Sequence, residues 1–170
     1  MDINLRQVRN TEFDAVYGIL HENAIWILSK GIIQWPLDWL ESIRPEIKAA
    51  IEAELFYAVE VDNTLAAVIE IRSAPEDLWN NNQDEALYIH KLSIQRKYAD
   101  RGLGRNILDL IKSKAQQKNI KFLRLDCVAH NHKLRAYYES CGFNLKGIVD
   151  AGDVNLALYE YKLTTDIPCQ

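Results

Sequence analysis

Leu87-Tyr88-Ile89-His90-Lys91-Leu92-Ser93-Ile94, then Arg101-Gly102-Leu103-Gly104, opening an amphipathic segment from Arg105 to Lys118: the fold is decided here. The stretch reads as strand, glycine turn and helix. Such a turn aims backbone N–H groups and the positive end of a helix at one spot, which suits a phosphate or pyrophosphate. A second strand, Phe122-Leu123-Arg124-Leu125-Asp126-Cys127, leads to a helical segment from Asn131 to Gly142. Two strand–helix units side by side would bring a phosphate site and the tyrosines Tyr137 and Tyr138 near one cleft.

The first strand changes phase. Leu87 and Ile89 fall on one parity, Leu92 and Ile94 on the other, and a strand of period two cannot keep all four on one face. Either both faces are buried, or one extra residue near His90 or Lys91 resets the phase as a β-bulge. In the second helix Leu134, Tyr137, Tyr138 and Cys141 share one face. Tyrosines at this spacing serve either as core residues with hydroxyls at the rim or as a phenol that donates a proton in a cleft. Asn131 reads most simply as the N-cap.

Outward from this core, Ile3, Leu5 and Val8 suggest a first strand. Thr11 and Asp14 read as a short capping box opening a helix with Val16, Ile19, Leu20, Ala24, Ile27 and Leu28 on its apolar face, closed by Gly31. Gly31-Ile32-Ile33-Gln34-Trp35-Pro36 is an apolar loop, and Pro45 sits in the first turn of a second helix ending near Ala53. Leu55–Val61 and Leu65–Ile71 form a hairpin across Asp62-Asn63-Thr64. Residues 74–85 form a polar loop, and Phe143–Val149 and Leu156–Tyr161 a closing hairpin across Ala151-Gly152-Asp153. The order is β-α-α-β-β-β-α-β-α-β-β, an α/β layered domain with a mixed sheet flanked by helices.

A length of 170 residues fits one domain, 1–170, with a core that needs no staples. The apolar share of 48% and the charged share of 26% are ordinary for a globular chain. A net charge of −4 argues against nucleic acid as a partner, since phosphate neutralisation wants a basic surface. The basic run from Arg96 to Lys121 suits a small anionic cofactor. Cys127, Cys141 and Cys169 have no metal-type spacing and read as reduced thiols of a cytoplasmic protein, with no metal expected. No charged start with an apolar run marks a signal, and no apolar stretch reaches the roughly 20 residues a membrane helix needs. The tail from Thr164 to Gln170 reads as loose.

Together these residues resemble the GNAT family of acyl-CoA-dependent N-acetyltransferases. Three pieces carry the resemblance: the strand ending Leu92-Ser93-Ile94, the turn Arg101-Gly102-Leu103-Gly104, and Asn131…Tyr137-Tyr138-Glu139-Ser140-Cys141-Gly142-Phe143. The last is similar to the family's Asn…Leu-Tyr-Glu-Lys-x-Gly-Phe, with Tyr137 and Ser140 as substitutions. A P-loop would need a Lys-Ser/Thr, and a dinucleotide turn a third glycine. One departure stands in the turn. The family's Gln/Arg falls on Ala99 and its next glycine on Asp100.

The resemblance implies a sheet split into a V, with acetyl-CoA in the opening. Its cofactor core covers about 87–143, and acceptor-side segments cover about 20–45 and 74–86. The pyrophosphate would lie on Arg101, Gly102, Leu103, Gly104 and Arg105, the pantetheine along Leu92, Ser93 and Ile94, with Asn131 and Tyr137 bordering the cofactor. It further implies direct attack of an amine on the thioester, a backbone N–H near Leu92 on the oxyanion, and Tyr138 as general acid. His90, Asp126 and Glu70 are candidate bases. His90 reads equally as a hydrogen-bonded strand residue, and Asp126 as the structural partner of Arg124 or a helix cap. Gln34, Trp35, Tyr88 and Asp126 are the candidate acceptor contacts, whereas Trp26 and Trp39 read as loop anchors. The acceptor would be a small-molecule amine or an amino terminus. An O-acetyltransferase, a non-catalytic CoA-binding regulator and a nucleotide-binding domain are the alternatives, and the closing hairpin offers an edge to a second copy of the chain.

Overall fold

The computed structural model describes residues 2–164; of the tail read as loose, residues 165–170, Cys169 among them, lie outside these. The described chain forms two compact units, one of residues up to Ile71 with His90–Ile107, the other of Arg72–Ile89 with the residues from Leu108 onward.

In the first unit, β1 (Ile3–Gln7) pairs antiparallel with β2 (Phe56–Val61), from Ile3↔Val61 to Gln7↔Tyr57. β3 (Thr64–Arg72) returns beside β2 through a tight turn in which Asp62 and Asn63 have φ of 49° and 62°. Two successive left-handed residues give the turn whose twist matches a hairpin, and the short side chains of Asp and Asn tolerate it. β4 (Ala86–Ile94) follows β3 in the sheet, and its second half, His90–Ile94, belongs to this unit.

Three helices cover the sheet of this unit: α1 (Phe13–Ser29), α2 (Leu37–Ser42) and α3 (Arg44–Glu52). Val16, Ile19, Leu20 and Ala24 of α1 meet Leu40, Ile47, Ala50 and Ile51, with Phe56, Ala58 and Val68 from the strands below. Trp35 packs against the same cluster, so the apolar loop after Gly31 is partly core. Gly31, at φ 75°, closes α1 as expected, its N–H on the Leu28 carbonyl at 2.9 Å.

Two details differ from the sequence reading. The N-terminal box is made by Glu12 rather than by Thr11 and Asp14. Its carboxylate accepts from the Arg9 N–H at 2.8 Å and from both Arg6 and Arg9 side chains, after a short 3₁₀ turn over Asn10–Glu12. A longer carboxylate arm and two guanidinium partners outcompete Asp14. The second difference is α2, a six-residue helix that buries only Leu40, too short to show a periodic pattern.

In the second unit, the first half of β4 runs parallel to β5 (Phe122–Val128), from Ala86↔Phe122 to Ile89↔Leu125. β5 pairs antiparallel along its whole length with β7 (Asn155–Lys162), and β7 with β6 (Asn144–Asp150), giving the order β4-β5-β7-β6. The last strand in sequence is thus the inner one. β7 buries Ala157, Leu158 and Tyr159, whereas β6 is largely exposed and takes the edge. The parallel β4–β5 pair among antiparallel neighbours makes the sheet mixed, as expected. α4 (Leu103–Gln117) starts in the first unit and ends in the second, and α5 (His132–Ser140) lies in the second.

Candidate active site

The phase change of the key strand has a backbone origin. Lys91 sits at φ 50°, in the left-handed region that a regular strand never uses. Tyr88 and Ile89 are buried before it and Ser93 after it, so the buried parity flips across this residue. Lys91 Nζ lies 2.6 Å from Glu70 Oε2, and Glu70, on β3, is fully buried. His90, half-buried, precedes this break.

α1 grips the end of the same strand. Asn23, buried on the apolar face, donates its side-chain amide to the Ile94 carbonyl at 2.9 Å and to its own helix at the Ile19 carbonyl. Glu22 accepts the Arg96 N–H at 3.1 Å, and the Arg96 guanidinium lies 3.7 Å from the centre of the Trp26 ring. Trp26 is therefore a cation–π platform for the residue that enters the turn. Ser93 is 2% exposed and its Oγ has no hydrogen-bond partner.

The turn departs from the family's glycine pattern at Asp100, which takes φ 59°, with Gly102 at φ 74°. The position needs a left-handed backbone, and Asp is among the few side chains that accept it. Its carboxylate is 95% exposed and 4.0 Å from Arg96 Nη2, so it faces water. Leu103, 2% exposed, anchors the start of α4; Gly104 is buried beside it, while Arg101, Gly102 and Arg105 are exposed.

In the second unit the candidate residues gather on α5. Asn131 is the N-cap, its Oδ1 accepting the Leu134 N–H at 3.1 Å. Tyr138 is 9% exposed, its ring tilted against Tyr137, Phe143 and Tyr159 at centroid distances of 5.8, 6.1 and 6.2 Å. Burial pushes its phenol well above the ordinary tyrosine range, with the Cys127 thiol and Asp126 adding to the shift. Such a phenol is held in its protonated form. Cys127, buried beneath, has its thiol pushed up to about 12 by the same desolvation, with Asp126 as a second cause. Tyr137 is half-buried. The helix ends at Gly142, at φ 87°, where the Phe143 N–H meets the Tyr138 carbonyl at 3.1 Å.

Tyr88, a candidate acceptor contact, and Trp79, within the 74–86 segment, are built into a cluster around Arg124. The Arg124 side chain is 3% exposed and bonds Asp84 at 2.7 Å, Glu160 at 2.9 Å and the Tyr88 hydroxyl at 3.1 Å. The rings of Trp79 and Phe122 lie about its guanidinium, at 5.0 and 5.2 Å. The carboxylates that hold Arg124 are thus Asp84 and Glu160, from a loop and from β7. Asp126 is half-buried. Gln34 and Trp35 are half-buried in the α1–α2 connection of the first unit.

Sequence reasoning missed Asn23 and the Glu70–Lys91 pair as a unit. Asn23 carried a signal, a polar residue on a helix face otherwise made of Ile19, Leu20, Ala24 and Ile27. Glu70 and Lys91 carried none, because they are 21 residues apart and meet only across strands.

Comparison with known proteins gives the same class. Residues 21–143 match the model of the Acetyltransferase (GNAT) family. An uncharacterized N-acetyltransferase, YesJ of Bacillus subtilis strain 168, is 28% identical over 158 residues, spanning 90% of this chain and 86% of that protein. The crystal structure of a GNAT-family acetyltransferase from Listeria monocytogenes superposes with a TM-score of 0.77 at 24% identity, covering 95% of each chain. The PaiA N-acetyltransferase of Thermoplasma acidophilum, solved in complex with coenzyme A, gives 0.70 at 19% identity over 95% of this chain and all of that one.

An α/β acyltransferase with a mixed sheet and a glycine turn is the class that fold and residues define. This chain belongs to the GNAT acetyltransferase family. Membership brings acetyl-CoA as the co-substrate. Among the described residues no helix is long and apolar enough to cross a membrane.

Proposed function

We propose that this enzyme transfers the acetyl group of acetyl-CoA to the amine of a small molecule or an amino terminus, with Tyr138 as general acid. The place of the Tyr138 phenol carries this reading: it stands on α5, buried and in its protonated form, at the position where the segment Asn131 to Phe143 resembles the family's tyrosine signature. The free amine attacks the thioester carbonyl carbon, and the oxyanion is held by the N–H of Leu92. Collapse breaks the C–S bond, Tyr138 protonates the departing thiolate, and the attacking nitrogen loses its proton to a base through water.

The pyrophosphate is held by N–H groups of Arg101 to Arg105. The left-handed Asp100 and Gly102 support this assignment, since such turns turn successive amides toward one concavity. Leu92, Ser93 and Ile94 take the pantetheine as an added strand, with Asn131 and Tyr137 beside the cofactor. Gln34 and Trp35 are the acceptor contacts, His90 the base. The reading places the enzyme in the cytoplasm, as a single functional domain able to pair with a second copy.

Calorimetric titration with acetyl-CoA, with ATP and NAD as controls, tests it. Saturable binding of acetyl-CoA alone, followed by acetylation of a member of an amine panel, is the expected result. No binding of acetyl-CoA would overturn it.

A further inference from the structure

We infer that the buried Glu70–Lys91 ion pair is a positioning device for the acyl transfer: it holds β4 in its left-handed break and so sets the direction of the Leu92 N–H. The inference rests on the proposed role of that N–H as oxyanion donor.

A lysine at φ 50° is not a low-energy backbone choice, since long unbranched residues favour the strand region within a sheet. What holds Lys91 there is visible at the end of its side chain. Its ammonium is 2.6 Å from a carboxylate that has no access to water, and the lysine side chain itself is 21% exposed. A buried carboxylate is costly without a cationic partner, so the pair resists any backbone rearrangement that would carry the ammonium away. Relaxing Lys91 to a regular strand conformation would send its side chain to the opposite face, away from Glu70. The break and the pair therefore stand or fall together. The next amide along the chain is that of Leu92, and a change in its direction by tens of degrees removes a donor from an oxyanion.

The segment is held at its other end as well, where Asn23 bonds the Ile94 carbonyl. Lys91 to Ile94 is thus fixed at both ends by side chains of the same unit. Glu70 is also a candidate base, as a strand residue able to face the cleft. A positioning carboxylate and a base differ in what restores function once the carboxylate is gone.

Two double variants make that distinction. Glu70→Gln with Lys91→Gly removes the pair and leaves a residue for which the left-handed region is easy. Glu70→Gln with Lys91→Val removes the pair and installs a β-branched residue that excludes it. Each is purified, checked for cooperative unfolding, and followed by thiol release from acetyl-CoA with benzylamine as acceptor, across pH. The φ of residue 91 and the direction of the Leu92 N–H are read from crystal structures of the free proteins. The glycine variant is expected to keep a left-handed φ there and an unchanged pH profile, and to lose far less kcat than the valine variant. The valine variant is expected to take an extended φ that turns the Leu92 N–H, and to lose about a hundredfold in kcat with affinity for free CoA retained.

Equal loss in both, with the acid limb of the profile gone, would overturn the inference and make Glu70 the base. A left-handed φ at residue 91 with an unturned Leu92 N–H in the valine variant would overturn it equally. Because the crystallographic arm needs no turnover, it decides the inference even where the parent fails to bind acetyl-CoA, an outcome that sinks the acetyltransfer reading instead.

Discussion

The side-chain amide of Asn23 stands 2.9 Å from the carbonyl of Ile94, so a buried polar residue of α1 fastens the last residue of β4. The same amide also reaches the Ile19 carbonyl, which satisfies both of its hydrogens. Replacing Asn23 by Leu leaves the Ile94 carbonyl short of a donor in a partly buried place. The expected cost is about 1–3 kcal/mol of stability, read from denaturant unfolding, with KM for acetyl-CoA raised. An unchanged midpoint and KM would show that water takes over the bond.

Tyr138→Phe removes one oxygen from a ring already packed on three others. Turnover is expected to fall by about two orders of magnitude, the usual worth of a general acid, while calorimetric affinity for CoA stays. The phenol's raised pKa also has a sign. The acid form persists well above the ordinary tyrosine range near 10, so the pH profile of kcat should show no falling limb from Tyr138 up to about that pH. Parental turnover in the phenylalanine variant would remove Tyr138 as the acid.

Arg124 is surrounded by two carboxylates and by rings, and the Glu160 side chain it holds is only 13% exposed. Arg124→Met leaves that carboxylate with Lys146 alone, its Nζ 3.7 Å away and half-exposed. A loss toward the lower end of about 3–5 kcal/mol is expected, and because Asp84 is the other partner, hydrogen exchange should quicken through residues 76–85. Equal protection in the two proteins would show that Trp79 alone holds the loop.

Gly142 combines φ 87° with a neighbour: a Cβ there would stand 3.1 Å from the Tyr161 ring. Both the left-handed backbone and the crowding oppose a side chain, so Gly142→Ala should lower stability by about 1–3 kcal/mol. Because the substitution sits one turn beyond Tyr138, thermal unfolding and turnover should fall together.

Glu12 is held below the usual carboxylate range by hydrogen bonds from Arg6 first and Arg9 second. A carboxylate with a depressed folded pKa contributes stability that is complete above its unfolded value, near 4.3, and is lost as the pH falls from there toward the folded value. Glu12→Gln should therefore cost about 1.5–3 kcal/mol at pH 7, and the gap to the parent should close as unfolding is measured at successively lower pH below about 4. A gap independent of pH would assign the loss to packing instead of charge.

The order of strands and helices apart from α2, the hairpin at Asp62-Asn63, the N-cap at Asn131 and the closing glycine of α1 were legible in the sequence. Each is specified by residues within a few positions of one another, through periodicity, capping and the tolerance of Gly, Asn and Asp for positive φ. The change of phase in β4 was legible too, as two alternatives. Local pattern alone could not choose between them, because what fixes Lys91 is a carboxylate on another strand. The Glu12 box went to the wrong pair of residues for a similar reason, since the arginine that favours it comes from β1.

By itself the sequence determined the class of this protein. The strand with its broken phase, the glycine turn and the Asn131-to-Gly142 helix follow in a fixed order, and each is local chemistry. Only the tertiary structure decided which side chains hold those pieces in place. Asn23 on the Ile94 carbonyl, Glu70 under Lys91 and Arg124 between Asp84 and Glu160 join residues tens of positions apart. Burial makes such contacts strong, because a charge or amide removed from water must find its partner inside the fold, and sequence spacing carries no record of that partner.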